Sequence, residues 1–335
     1  MKPLFQHPLS GAVVALGASA LLSCSSQALG AQGDAAQAYP SKPIRFVVPF
    51  SPGGGTDLTA RLIAQKLTMA WRQQVVVDNR PGANGTIGVG IAARSTPDGY
   101  TLTMISASHT VNVHLLKAIP YDMTRDLQPV TQATRQPYAL VVNPSLPARS
   151  VGDLVALAKA KPGTLNFGSS GRAGLSHLSG EMFGELAGIK IVHIPYKGGN
   201  PAMIDVIAGR IQMLFSTLLQ AGSHVKAGRL RALAVTTPKR WPAAPEIPTM
   251  MEAGVPGYEV TQWYGLAMPA KVPPAIVAKF SGEVARILQD PEVRNKLATD
   301  GAEAVGSTPA QFNAHIRGEL AKWAKIVKQI GLEKI

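Results

Sequence analysis

Two glycine-rich turns carry the residues best placed to do chemistry. The first, Ser51-Pro52-Gly53-Gly54-Gly55-Thr56-Asp57, follows the apolar strand-like run Ile44-Arg45-Phe46-Val47-Val48 and the turn residues Pro49-Phe50. It opens a segment, 58–67, in which Leu58, Leu62, Ile63 and Ala64 fall on helical spacing. The second, Tyr196-Lys197-Gly198-Gly199-Asn200-Pro201, lies between strand-like 191–195 and a helical stretch over 202–208. Glycines between a strand and a helix expose backbone N–H groups at the helix N-terminus, where those donors and the helix dipole favour an anion. Thr56 and Asp57 are residue types suited to capping such a helix. The first turn lacks the Gly-Lys-Ser/Thr ending of a nucleotide P-loop and does not match G-x-G-x-x-G. The plainer alternative is a turn that only links strand to helix.

The elements that must hold these turns alternate as strand, loop, helix. Strands are expected at 75–79 and 100–105, the latter ending in a polar loop, 106–112, that contains Ser108 and Thr110. A second run begins at 138–142. It continues through a helix over 151–161, a strand at 165–167, the loop 168–174 with Ser169 and Ser170, and a helix over 175–186 containing His177. Strands at 211–215 and 230–236 follow, then a proline-rich stretch, 238–257. Residues 263–268 read as a strand able to pair with 138–142, and helices over 274–289, 291–299 and 309–330 close the chain. Such alternation predicts an α/β protein with a mainly parallel sheet, whose ligands sit beyond the carboxyl ends of the strands. Two lobes, 39–138 with 266–335 and 139–265, joined by two crossing strands, imply a cleft and hinge closure.

The first 38 residues differ from the rest. Lys2 precedes an apolar run over 11–22 that is too short to span a bilayer, followed by small residues that suit cleavage before Leu29 or Tyr39. This reads as an export signal. Leu21-Leu22-Ser23-Cys24 offers lipoprotein processing as an alternative. Cys24 is the only cysteine, so cleavage leaves a mature chain without disulfide or thiol chemistry. Losing 1–38 removes Lys2 and Asp34, one charge of each sign, so the formal net charge stays at +13. That charge suits anionic solutes or a membrane face. The basic residues are scattered and the chain carries an export signal, which together argue against nucleic acid.

Taken together, Pro49-Phe50-Ser51-Pro52-Gly53-Gly54-Gly55-Thr56-Asp57, Asn79-Arg80-Pro81-Gly82-Ala83, Pro97-Asp98-Gly99-Tyr100-Thr101-Leu102, Asn166-Phe167-Gly168-Ser169-Ser170-Gly171, His193-Ile194-Pro195-Tyr196-Lys197-Gly198-Gly199, Arg231-Ala232-Leu233-Ala234-Val235-Thr236 and Trp263-Tyr264-Gly265-Leu266 occur in one order behind the export signal. In this the chain resembles the periplasmic solute-binding receptors of tripartite tricarboxylate transporters, the Bug receptors, over essentially all of its mature length. The resemblance implies a two-lobed type II periplasmic-binding-protein fold. It also implies a small carboxylate held between the loop around Phe50, Ser51, Pro52, Gly54, Gly55, Thr56 and Asp57 and the loop around Tyr196, Lys197, Gly198 and Gly199. The expected partners are that ligand and membrane transporter subunits, with the receptor itself a monomer without cofactor or metal.

The hydroxyls of Ser51, Thr56, Ser108, Ser169, Ser170 and Tyr196 are expected to add donors and acceptors, and Ser216 is expected at the cleft wall. Asp57 either touches an amine on the ligand or caps its own helix. His177 either touches ligand or hydrogen-bonds structurally, and Lys197 either binds the anion or points to solvent. Two other classes stay open. A ligand sensor docking on a membrane kinase needs the same closure. A hydrolase needs a nucleophile beside a base, for which only Ser170 with His177 offers itself, and no G-x-S-x-G or H-E-x-x-H is present.

Overall fold

One strand of 16 residues, β4 (Leu127–Val142), runs through both halves of the sheet and organises the rest. The computed structural model describes residues 39–335, and the expected export segment lies outside the described residues. The first part of β4 pairs antiparallel with β9 (Thr261–Pro269), and β10 (Glu303–Ala304) also pairs with it. β9 continues antiparallel to β3 (Thr101–Ser106), next to which β1 (Ile44–Val48) and β2 (Val75–Asn79) lie parallel. The last part of β4 pairs with β7 (Met213–Thr217) and with β8 (Arg231–Val235), and β5 (Asn166–Ser169) and β6 (Val192–Pro195) extend that half in parallel from β7. The order is β2-β1-β3-β9-β4-β7-β5-β6. The outer strands of each lobe are parallel, as the alternating pattern predicts. The crossing strands are antiparallel, because the chain leaves the first lobe on one and returns on the other.

The expected pairing of 263–268 with 138–142 is not made. Both edges of Tyr138–Val142 are taken by β7 and β8, so β9 pairs with Leu127–Pro137 instead. Thr261–Gly265 therefore belong to the first half-sheet rather than the second, and the chain crosses at Tyr138 and near Val260. One hydroxyl ties these crossings together: Thr236 Oγ1 accepts from Tyr138 N at 3.0 Å and donates to Val260 O at 2.7 Å.

β1 is buried at four of its five positions, as a strand covered on both faces must be. Helix α1 (Gly55–Trp71) turns Ala60, Ile63, Ala64 and Leu67 into the first lobe's core, where they meet Val277, Phe280 and Val284 of α8 (Pro274–Gln289). Full burial of a side chain such as Phe280 contributes about 2–3 kcal/mol. The remaining helices are α2 (Thr86–Ala93), α3 (Ala107–Leu115), α4 (Val151–Ala160), α5 (Leu175–Ala187), α6 (Gly199–Ile207), α7 (Leu218–Lys226), α9 (Pro291–Thr299) and α10 (Pro309–Gln329). The polar segment 106–112 is thus the start of a helix rather than a loop. Ser106 caps it, and the His109 ring accepts from Ser106 N at 2.9 Å, so side chains of low helix propensity stabilise the helix end. α10 packs along β4 and buries Trp323. The indoles of Trp323 and Trp263 both donate to Glu319 Oε2, each at 3.0 Å.

Candidate functional site

Five helices begin around one small cavity between the lobes. Gly54, Gly55 and Thr56 open α1, Ser106 and Ser108 open α3, Ser176 lies in the first turn of α5, Gly199 opens α6, and Thr217 and Gln220 begin α7; all of these line the same space. Four of the five helices have no side-chain cap at the N-terminus: α1, α5, α6 and α7. At the first three of these the cap residue is glycine, which has no side chain to offer. Each uncapped start presents free N–H donors and about half a positive charge. No Lys, Arg, Asp or Glu lines the cavity. It is therefore an electropositive site made from backbone, fitted to an anion that needs several fixed donors.

Phe50, Tyr138, Phe215 and Tyr264 form the apolar part of the wall. Burial pushes the Tyr264 hydroxyl up to about 12, with Thr56, Thr217 and Gln136 pulling the other way, so it remains a donor at neutral pH. The Gln220 side chain accepts from Ser216 Oγ at 3.2 Å, while its buried Nε2 has no protein partner. The enclosed volume is only about 40 Å3, little more than one water occupies. The lobes are closed here: Leu175 N of one lobe donates to Ser108 Oγ of the other at 3.2 Å.

A wider chamber of about 500 Å3 adjoins the cavity, and Phe50 and Ser170 line both. Its other walls include Asn84, Arg172, Tyr196 and Lys197. A separate groove of about 290 Å3 runs between α1, α7 and α9, lined by Leu58, Leu62, Leu218 and Leu219 and by the C-terminal end of α9 at Thr299 and Asp300. A helix C-terminus repels anions, so the groove lacks the character of the interlobe cavity.

The two glycine turns meet across the cleft. A Cβ on Gly54 would lie 4.0 Å from Gly199 N, and one on Gly53 would lie 2.9 Å from the Asn200 amide. Gly198, at φ 151°, is pressed against the Ser51 hydroxyl with no room for a side chain. α1 starts one residue earlier than the Thr56–Asp57 caps suggest, with Gly54 as its N-cap. Asp57 sits in the first turn and is buried. Its carboxylate accepts from Gly53 N at 3.0 Å, Asn79 Nδ2 at 2.9 Å and Arg61 Nε at 2.8 Å. Burial alone would raise its pKa, but the hydrogen bonds from Arg61, Gly53 and Asn79 outweigh burial and hold it below the usual range. Asp57 therefore braces the first turn from behind and does not face the cavity.

Of the residues singled out in the sequence, Phe50, Gly54, Gly55, Thr56, Ser108, Ser170, Gly199 and Ser216 line the cavity. Ser51 and Gly198 stand at the contact between the turns. Tyr196 and Lys197 line the outer chamber instead; Tyr196 donates to Asp205 at 2.7 Å and Lys197 is exposed. Pro52 is exposed on the outside of its turn. Thr110 is fully buried and donates to Ala107 O at 2.7 Å within its own helix. Ser169 turns inward to His193 Nε2 at 2.6 Å. His177 stacks on His193 at 3.9 Å between centroids and pairs with Glu181 at 3.3 Å, a structural arrangement away from the cavity. The Ser170–His177 dyad is not formed: Ser170 contacts Ser176, and His177 Nδ1 accepts from Ala173 N. At the cavity itself Ser106 touches His109, but the His109 Nδ1 lone pair already accepts the Ser106 N–H.

Ser106, Tyr138, Ser176, Thr217, Gln220, Gln262 and Tyr264 also line the cavity and were not singled out. A signal for two of them exists. Thr217-x-x-Gln220 has the Ser/Thr-x-x-Glu/Gln spacing of a helix start, and it stands directly after an apolar strand.

The fold and the cavity define a two-lobed binding protein of the periplasmic type. The family model of the tripartite tricarboxylate transporter family receptor matches residues 59–332, and the chain belongs to that family. Protein BugT of Bordetella pertussis (strain Tohama I) is 37% identical over 298 residues, covering 88% of this chain and 91% of BugT. Among solved structures, that of R. palustris Rpa4515 with adipate is 37% identical with a TM-score of 0.86, covering 89% of this chain and 100% of that one. The periplasmic binding protein BugD is 31% identical with a TM-score of 0.86, at 89% and 100% coverage.

Proposed function

We propose that this chain is an exported receptor that captures a small carboxylate-bearing solute between its lobes and hands it to a membrane transporter. The observation that carries the reading is the convergence of five helix N-termini, four without a side-chain cap, on one cavity that no charged side chain lines. A carboxylate there would accept charge-assisted bonds from both lobes, and a ligand that touches both lobes stabilises their closed arrangement. The adipate found in the R. palustris relative is of this chemical class. Binding is favoured over hydrolysis because the His109 lone pair beside Ser106 is already engaged by a backbone donor. Among the described residues no helix is long and apolar enough to cross a membrane.

The test is a thermal-shift screen of the mature protein against mono- and dicarboxylates, amino acids and aromatic acids. A ligand at 100 times its Kd adds about 2.7 kcal/mol, which raises the midpoint by several degrees. If no carboxylate moves it while an uncharged or cationic solute does, the anion site is misassigned. N-terminal sequencing of periplasmic material is expected to begin between Leu29 and Tyr39. Deleting the candidate transporter is expected to abolish uptake of the identified solute. Intact uptake with a lost signalling output would favour the sensor role instead.

A further inference from the structure

The cavity and the outer chamber favour anions by different means, and together they select the far end of the ligand. The inner cavity, at about 40 Å3, has room for little more than one carboxylate, so the rest of any bound solute must extend past Phe50 and Ser170, the residues common to both spaces. The chamber beyond them, about 500 Å3, holds two basic side chains, Arg172 and Lys197. No Asp or Glu lines it, and neither Arg172 nor Lys197 forms an ion pair among the described residues. Both are exposed. The field of Arg172 reaches inward, where after burial and His177 it is the third contribution holding the His193 ring neutral. Phe50, buried at the neck, offers apolar surface to a methylene chain but nothing to a charge.

We propose that Arg172 and Lys197 are specificity-determining residues that recognise a second anionic group, so that this receptor prefers aliphatic α,ω-dicarboxylates over monocarboxylates of equal length. The inference deepens the carboxylate-receptor reading and rests on it. The inner carboxylate is held by backbone donors that any carboxylate satisfies, so discrimination falls to the chamber. An exposed charge-assisted pair contributes 0.2–1 kcal/mol, which is roughly one-and-a-half- to fivefold in affinity for each cation. The two together give a preference of about two- to thirtyfold, with the upper part reached where closure excludes water from the chamber. Exposed charges are also screened, so the preference must shrink with salt.

The experiment titrates adipate and hexanoate, six carbons each with two carboxylates and one, into the full mature protein by calorimetry. The wild type is expected to bind adipate at least threefold more tightly than hexanoate. In the double variant Arg172→Gln, Lys197→Gln the ratio is expected to fall towards one, with hexanoate affinity changed less than twofold. Both side chains are solvent-exposed, so the variant is expected to fold, and circular dichroism checks this. Should it misfold, the salt dependence of the wild-type ratio stands in: a ratio that falls between low ionic strength and about 1 M supports the assignment, and a constant ratio overturns it. Equal binding of adipate and hexanoate by the wild type, or an unchanged ratio in the variant, overturns the proposal while leaving the carboxylate-receptor reading intact. If neither acid binds and no other mono- or dicarboxylate does, that reading fails and this proposal fails with it.

Discussion

Gly55→Ala separates the backbone-clamp account from a generic loop. Gly55 is the first helical residue of α1, and a Cβ built on it would lie 2.6 Å from Tyr264 Oη and 2.8 Å from Thr217 Oγ1. Ordinary carbon–oxygen contacts are about 3.3–3.6 Å, so the methyl overlaps Tyr264 by roughly 0.7 Å or more. Tyr264 is almost fully buried in β9 and its ring cannot retreat; the helix start must move instead. Overpacking of this kind costs about 1–3 kcal/mol of stability. The shift also carries the N–H groups of Gly55 and Thr56 away from the ligand. One hydrogen bond to a charged group is worth about 1.5–3 kcal/mol, so affinity is expected to fall by about ten- to a hundredfold. The control is Gly222→Ala in α7, the same chemical change where a Cβ meets nothing within 4 Å. There the change is expected to stabilise by about 0.5–1 kcal/mol and to leave affinity alone. Calorimetry with the tightest carboxylate from the thermal-shift screen measures affinity, and urea unfolding measures stability. If Gly55→Ala binds within twofold of wild type, the carboxylate is not held at the start of α1 and the clamp is wrongly located.

Other expectations follow from the same geometry. Small-angle scattering should give a smaller radius of gyration with ligand than without, because a cavity of about 40 Å3 admits ligand only through opening; equal values would count against hinge closure. Asp57→Asn is expected to lower stability by about 1–3 kcal/mol by weakening the bonds from Gly53, Arg61 and Asn79. It should weaken ligand binding as well, although the side chain faces away from the cavity; unchanged affinity in calorimetry would show that the first turn needs no brace. His109 is held down to about 4 chiefly by burial, against an ordinary value of 6.5. Between pH 6.5 and 4 the unfolded chain takes up a proton that the folded one refuses. Stability therefore falls as pH falls through that window, by up to about 3 kcal/mol from this group. In His109→Gln the thermal midpoint is expected to drop less steeply over the same range, and an identical slope would remove His109 from the account.

Much of the fold was legible because its signals are local. The apolar runs of β1, β3 and β7 and the helical spacing of α1 each announce themselves within a few residues. The first part of β4 did not. Gln128, Thr131, Gln132, Thr134, Arg135 and Gln136 interrupt any apolar run, and the strand is specified by its partners β9 and β10 rather than by its own pattern. That hidden half is why 263–268 was matched to the wrong stretch. α7 was missed for a different reason: β7 ends at Thr217 and the helix begins at Leu218, with no turn between them to mark the change. In the site, the glycine turns were readable because glycine before a helix has few other uses. The side chains were not. Ser169 and Ser170 are neighbours in one loop, yet one turns into the core and the other into the cavity, and only the packed structure decides which.

The crossing at Tyr138 and Val260 has a consequence for how the molecule can be taken apart. Both ends of the second lobe are bonded to the same Thr236 hydroxyl, so residues 138–260 leave and re-enter the first lobe at one point. A segment whose ends meet behaves as a cassette: it can be excised, circularly permuted or exchanged without stretching the host chain. One condition limits the exchange. The core around Leu140 and Val142 continues into Ile105 and Val111 of the first lobe, so a grafted lobe must bring side chains of matching volume to that seam. With the seam kept, the loop carrying Arg172 and Lys197 travels with the cassette while the first glycine turn stays behind, and specificity becomes separable from the frame that holds it.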